Sequence, residues 1–334
     1  MRACGIAAVL VVAALMTACS DDDETANPAA ATPRPSSGCE APAVDAGETE
    51  VTLTSRGTTR SYFRHVPPDV VKGEPLPVVV DLHGYSEPPD IHVKITGLGT
   101  YGDEHGFVTL TPRGTGNPIR WLTEFDSDDV AFIGDLLDDV ERAMCIDKAR
   151  VFVTGLSNGA LMASTIGCVY ADRVAAIAPV AGARYPEGCK PSRPVPVLAI
   201  HGTDDKFVGY DGALGEAGLD LPAPDGSGRK LRDVVEPGSI PRKPIPEMVD
   251  AWARRDTCDP KPATVKVASD VDRIDYDCPA GVDVQLYRVN GGGHTWPGSA
   301  LLAAVESIVG RTTTSISSNE VIWRFFRRHP LPAG

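Results

Sequence analysis

Ser157 stands in the run Val151-Phe-Val-Thr-Gly-Leu-Ser157-Asn-Gly-Ala160. A serine hydroxyl is a weak nucleophile unless a base lies beside it and the backbone presents it. The flanking residues supply the presentation. A β-branched run from Val151 to Thr154 ends in Gly155, and a helix-compatible run extends from Ala160 through Ile166. Strand, tight turn and helix around G-x-S-x-G form the sequence signature of a nucleophile elbow. The turn must hold Ser157 in a strained conformation at the top of a sheet. Side chains at 155 and 159 would obstruct the approach of strand and helix, so glycine suits both. The N–H of Asn158 then points where an oxyanion would form. The same pattern also occurs in plain strand-to-helix turns; the flanking elements single this one out.

The partners are sought in the chain order serine, acid, histidine. Val195-Pro-Val-Leu-Ala-Ile200 reads as a buried strand with His201-Gly-Thr-Asp204-Asp205 at its end. Carboxylates at strand ends of an open parallel sheet face the ligand crevice. Val284 to Val289 is another strand and runs into Asn290-Gly-Gly-Gly-His294-Thr-Trp-Pro-Gly298. Glycines open backbone paths that can swing His294 towards Ser157. A second oxyanion donor is expected from the N–H of Tyr85, which follows the strand Pro77–Leu82 in His83-Gly84-Tyr85.

These four segments together resemble the esterase branch of the α/β-hydrolase superfamily. The nearest likeness is to secreted feruloyl esterases of carbohydrate esterase family 1 and to polyhydroxybutyrate depolymerase-like lipoproteins. It rests on Asp81-Leu-His-Gly84, Gly155-Leu-Ser-Asn-Gly159, His201-Gly-Thr-Asp-Asp205 and Gly291-Gly-Gly-His-Thr-Trp-Pro-Gly298, the last being the most specific. It spans about residues 51–330. In that family the acid ends an H-G-x-x-D pattern, which implies Asp205 over its neighbour Asp204. The family often has cysteine or another small residue after its H-G; Tyr85 departs from that. A backbone donor survives the change, whereas the acyl pocket is affected. The resemblance implies an α/β-hydrolase fold and a Ser157–Asp205–His294 triad with oxyanion donors Tyr85 and Asn158. It implies no metal and no organic cofactor, with carboxylic esters (short acyl, feruloyl or hydroxyalkanoate) as substrates. An acyltransferase on the same fold, and a binding lipoprotein with a vestigial site, are the alternatives. Trp296 adjoins His294 and is a candidate pocket wall; Trp121 reads as core.

The elements that must position these residues alternate. Strands are expected at Thr59–Val66, Val78–Leu82, Phe107–Thr111, Val174–Val180, Val195–Ile200 and Val284–Val289. An amphipathic helix is expected from Asp126 to Met144, with Val130, Ile133, Leu137, Val140 and Met144 on one face and its acids solvated. Ser318 is placed to cap a last helix, Asn319 to Arg328. This order implies one mostly parallel sheet with helices on both faces. Gly209 to Pro244 breaks the pattern and reads either as a lid or as an inert insertion. Gly97-Leu-Gly-Thr-Tyr-Gly102 precedes a strand instead of following one, so it reads as a turn and not a dinucleotide loop. His65, His92, His105 and His329 lack metal-ligand spacing and read as surface or loop residues. His83 and His201 read as loop braces.

The 334 residues and net charge of −13 argue against nucleic acid as a partner. The N-terminus is a targeting segment. Arg2 supplies a minimal basic region, and the apolar stretch Ile6 to Met16 is too short to span a bilayer. Thr17-Ala18-Cys19 resembles a bacterial lipobox, with Met16 where the pattern usually has leucine. Residues 1–18 are then a signal peptide, and Cys19 is lipidated and anchors the protein to the outer face of a membrane. An ordinary signal peptide cut after Ala18-Cys19-Ser20 is the other reading. Residues 19–38 read as a disordered tether and 39–334 as a single catalytic domain. Six cysteines remain beyond the leader: Cys39, Cys145, Cys168, Cys189, Cys258 and Cys278. They are expected to form disulfides in an exported protein. The spacings leave the pairing open; the family resemblance implies Cys168–Cys189 and Cys258–Cys278, which leaves Cys39 with Cys145.

Overall fold

Runs of valine, isoleucine and alanine build the sheet that carries the site. The computed structural model describes residues 32–235 and 243–332. The predicted signal peptide and Cys19 lie outside the described residues. The strands are β1 (Gly47–Ser55), β2 (Thr58–Val66), β3 (Leu76–Leu82), β4 (Val108–Pro112), β5 (Ile146–Leu156), β6 (Ala176–Val180), β7 (Val197–Gly202), β8 (Ala263–Ala268), β9 (Val271–Tyr276) and β10 (Val284–Val289). They join in the order β1-β2-β4-β3-β5-β6-β7-β10-β9-β8. The six from β4 to β10 are mutually parallel. Antiparallel pairs extend both edges.

The helices are α1 (Pro89–Thr96), α2 (Leu98–His105), α3 (Asp128–Ala143), α4 (Asn158–Val169), α5 (Glu216–Leu219), α6 (Ile245–Arg255), α7 (Ala300–Ala303), α8 (Glu306–Val309) and α9 (Ser318–Arg327). Alternation along the parallel strands divides the core into two layers. Val78, Val80 and Leu82 of β3, with Val151 and Val153 of β5, pack with Ile133 and Leu137 of α3, Met162 and Ile166 of α4, and Val249 and Trp252 of α6. Val79 and Phe152 point to the opposite layer, with Ile95 of α1, Leu98 of α2, and Ile322, Phe325 and Phe326 of α9. Burial on both faces explains why these strands read as near-continuous apolar runs.

The expected strands are all present, most shifted at an end by one or two residues, but the first, Thr59–Val66, pairs antiparallel with both neighbours as β2. The strands β1, β8 and β9 carry no comparable apolar signal; every residue of β8 from Ala263 to Val267 is exposed. Three expectations are corrected. Gly97–Gly102 is not a turn: Gly97, with φ 60°, links α1 to α2, and the rest of the motif lies in α2. The cap of the last helix is Ser317, whose side chain accepts from the Glu320 N–H. The tether ends before residue 38, since the Arg34 N–H binds Asp147 and the Ser36 hydroxyl donates to the Met144 carbonyl. Disulfides join Cys39–Cys145, Cys168–Cys189 and Cys258–Cys278.

Candidate active site

Ser157 lies between the end of β5 and the first residue of α4, with φ 58° and ψ −117°. A non-glycine residue with positive φ is strained, and the strain needs neighbours that leave no alternative. Those neighbours are backbone. The Ser157 N–H donates to Val180 O at 2.9 Å. A Cβ on Gly155 or Gly159 would strike the Leu82 carbonyl, and one on Gly182 would strike the Ser157 carbonyl. Strand β3, the elbow and α4 therefore meet at contact distance only because these positions are glycine. The Asn158 N–H opens α4, where first-turn amides have no helical acceptor. The Asn158 side chain is engaged elsewhere: its Oδ1 accepts from the Trp121 N–H at 2.7 Å.

Strands β7 and β10 lie side by side and bring acid and histidine together. Gly202 abuts Gly292, so the two loops leave the sheet in contact. His294 Nδ1 lies 2.7 Å from Asp205 Oδ2. The other oxygen, Oδ1, accepts from the N–H groups of Phe207 and Val208 at 2.8 and 2.9 Å. Burial alone would raise the Asp205 carboxyl, but His294, then His201 and the Val208 N–H, hold it below its ordinary value. Asp204 is exposed, and its own contacts are the Thr203 hydroxyl and a backbone bond to Gly292. The Phe207 ring stacks on His294 with centroids 4.8 Å apart. His201 donates from Nε2 to Val208 O at 2.8 Å, and burial lowers its pKa. It is thus the neutral brace that the sequence suggests.

The loop after β3 is held from several sides. A Cβ on Gly84 would sit 3.6 Å from the Ser157 Cβ, so this loop borders the nucleophile. Trp121 Nε1 donates to His83 O at 2.9 Å, and the Ser86 N–H donates to Ile119 O at 2.8 Å. His83 is fully buried. Its Nε2 accepts from the Gly114 N–H at 2.9 Å, which leaves the proton on Nδ1, 2.7 Å from Gly84 O. Burial, aided by nearby His92, lowers its pKa to about 4, so it stays neutral. In a trans peptide the C=O and N–H point in opposite directions. A Gly84 carbonyl held by the His83 ring therefore turns the Tyr85 N–H away from that ring.

Several residues read differently in the fold. Trp296 is 1 % exposed and bonds Asn319 Oδ1 through Nε1, so it is core and not a pocket wall. His92 and His329 are buried, not surface residues. Asp129 is not on a solvated face: it is buried, pairs with Arg60 at 2.7 Å, and accepts from the Leu122 N–H and the Thr115 hydroxyl. A cavity bordering the first turn of α4 has a volume of about 720 Å³. Its walls include Leu161 in the first turn of α4, Val208, Tyr185, Met248 and Thr123. Phe207 and this cavity escaped sequence reading because the ring's partner, His294, and the cavity's walls come from distant segments of the chain.

No family model matches the chain. Relatives do. A protein named as an esterase, NocK of Nocardia uniformis subsp. tsuyamanensis, is 29% identical over 298 residues, covering 83% of this chain and 82% of that protein. Feruloyl esterase D of Neurospora crassa is 29% identical over 286 residues, covering 81% and 86%. The match to two further relatives spans only 23% and 29% of those longer proteins. The solved acetyl xylan esterase from Aspergillus awamori aligns over 84% of this chain and 99% of that one, with a TM-score of 0.54 and 13% identity. Its likeness bears on the fold alone. The chain has the α/β-hydrolase fold, and the esterase resemblance carried by the four motifs is matched by these relatives.

Proposed function

We propose that this chain is an exported serine hydrolase that cleaves carboxylic esters of short acyl, feruloyl or hydroxyalkanoate groups. The observation that carries the reading is the 2.7 Å Asp205–His294 pair on loops that leave adjacent strands of the sheet topped by the strained Ser157. His294 removes the Ser157 proton as the hydroxyl attacks the ester carbonyl. Asp205 fixes the imidazole tautomer and stabilises its cation. The N–H groups of Asn158 and Tyr85 hold the tetrahedral oxyanion, each lowering the barrier by ~3 kcal/mol. His294 then protonates the leaving alcohol, and water attacks the acyl-enzyme by the same route. The cavity between Leu161, Tyr185 and Val208 would receive the acyl or aryl group; its volume of about 720 Å³ suits a small ligand. Cys19 would carry the lipid that holds the enzyme at a membrane.

The test is a p-nitrophenyl ester series from acetate to palmitate, with methyl ferulate and a hydroxybutyrate oligomer alongside. The expected kcat/KM falls steeply beyond butyrate, because longer chains outgrow the cavity and gain little burial at about 25 cal/mol per Å². Ser157→Ala and His294→Ala should each remove nearly all turnover. A maximum at dodecanoate or longer, with neither ferulate nor oligomer cleaved, would sink the substrate assignment. Turnover retained by Ser157→Ala would sink the mechanism. Intact-mass analysis of the membrane fraction checks the anchor, and a soluble chain starting at Asp21 would refute it.

A further inference from the structure

Behind the oxyanion loop lies a row of charged side chains that the triad does not use. Asp81 is the penultimate residue of β3, Glu87 closes the loop, and His92 sits in α1 between them. His92 Nε2 is 2.8 Å from Asp81 Oδ1, and its Nδ1 is 2.7 Å from Glu87 Oε1. The far oxygen of Asp81 accepts from the Thr96 hydroxyl at 2.7 Å. The far oxygen of Glu87 accepts from the Gly84 N–H at 2.7 Å. Asp81 and His92 are completely buried, and the Glu87 side chain is 13% exposed.

Both ring nitrogens of His92 face carboxylate oxygens, so both carry protons. Burial alone would lower its pKa, but Asp81 and Glu87 outweigh burial and raise it to about 10. The same cation holds Glu87 below its ordinary value against the effect of burial. A buried ion row of this kind is costly unless every lone pair and proton is matched. Here the last lone pair is matched by the Gly84 amide. Gly84 is the residue whose added Cβ would meet Glu87 Oε2 on one side and, at 3.6 Å, the Ser157 Cβ on the other. A glycine has no side chain to limit its rotation. Its two peptide planes must therefore be fixed from outside. His83 fixes the plane that follows it, and Glu87 fixes the plane that precedes it.

We infer that Glu87 is a positioning residue for the oxyanion hole: held by His92 and Asp81, its carboxylate pins the Gly84 N–H so that the next amide, Tyr85 N–H, faces the oxygen developing beside Ser157. The inference rests on the ester-hydrolase reading for its catalytic consequence. Acylation and deacylation both pass through an oxyanion, so a misaimed donor slows whichever step limits turnover.

The experiment compares Glu87→Ala and Glu87→Gln in the full chain. Glutamine can accept from the Gly84 N–H and donate to a neutral His92 Nδ1, which keeps each hydrogen bond and the net charge of the row. With p-nitrophenyl acetate, Glu87→Ala should lose about 10- to 100-fold in kcat with KM within about threefold, as expected of a misplaced donor. Inhibition by phenylboronic acid, whose serine adduct places an oxygen in the hole, should weaken by a similar factor. Glu87→Gln should recover most of both. Amide exchange across residues 83–86, read by mass spectrometry, should quicken in the alanine variant. Ser36→Ala, which breaks a buried bond to Met144 O, is the control for lost stability without lost kcat. Equal kcat in wild type and Glu87→Ala, or a glutamine variant as impaired as the alanine, would overturn the inference. Should the wild type cleave no ester, the hydrolase reading fails by itself. Exchange at 83–86 then still decides whether Glu87 holds the loop, and unchanged exchange would refute it.

Discussion

Asp204 and Asp205 are adjacent carboxylates with opposite surroundings. Asp205 is buried and bonded through both oxygens, whereas Asp204 is exposed and faces Thr203. Asp205→Asn should therefore cost about 10⁴ in kcat through the wrong imidazole tautomer. Asp204→Asn should stay within about threefold, as surface changes do. A larger loss at 204 would overturn the assignment of the acid. Tyr85 offers a similar separation of backbone from side chain. Its hydroxyl donates to Pro222 O at 2.8 Å and ties the irregular segment after Gly209 to the loop after β3. Tyr85→Phe keeps the N–H and loses that tie, one exposed hydrogen bond of about 1 kcal/mol. Turnover of p-nitrophenyl acetate should change by less than about threefold, while proteolysis within 209–235 should quicken. A hundredfold loss of turnover would show that the hydroxyl itself takes part.

Among the elements, the C-terminus of α6 carries a buried charge that costs stability. Asp256 follows this helix, is 1% exposed, and accepts the Val195 N–H at 3.0 Å. Burial outweighs the Val195 amide, Arg255 and Arg193, and lifts its pKa to about 6. The folded chain thus binds this proton more tightly than the unfolded chain does. The contribution is fully present below about pH 4 and is lost as pH rises through about 6. Asp256→Asn keeps an acceptor for Val195 without a charge to bury. It should be more stable than wild type at pH 7.5, by up to about 3 kcal/mol, and match it only below about pH 4. Thermal melts across that range check the sign. A lower melting point at pH 7.5 would mean that the ion pairing with the neighbouring arginines dominates.

At the scale of the whole molecule, the Cys39–Cys145 disulfide and Ser157 sit at opposite ends of β5. Cys145 immediately precedes β5, and Ser157 immediately follows its 11 residues. At about 3.3 Å per residue the two ends lie roughly 35 Å apart. The Cys39–Cys145 bridge closes a separation of 106 residues, which loop entropy values at about 4–5 kcal/mol. Replacing both cysteines by serine should lower Tm by about 10 °C, taking 2–4 °C per kcal/mol, with kcat at 25 °C unchanged. Calorimetry and a parallel ester assay measure the two. Loss of kcat in a variant still folded at 25 °C would show coupling along the sheet.

The sequence by itself determined the parallel strands, the elbow and the loops that hold Asp205 and His294. Those signals are local. Strands covered on both faces must be continuously apolar, and a positive-φ serine between tight contacts demands glycine at fixed offsets. Strands β1 and β8 were not legible, because exposed edge strands bury too little to require an apolar pattern; β9 lies inside the sheet, but its Val271-Asp-Arg-Ile-Asp-Tyr276 run is too polar to read as a core strand. Tertiary structure alone decided which polar and aromatic residues went inside. His92, Asp129 and His329 look like surface residues in sequence, and Trp296 looks like a neighbour of the substrate. Burying a polar group is tolerated only when partners meet it, and those partners come from other elements. For His92 they are Asp81, eleven residues back, and Glu87, five back; for Asp129 the partner is Arg60, 69 residues away. No local period records such meetings, so the buried row of Asp81, His92 and Glu87 behind Gly84 became visible only once the chain had folded.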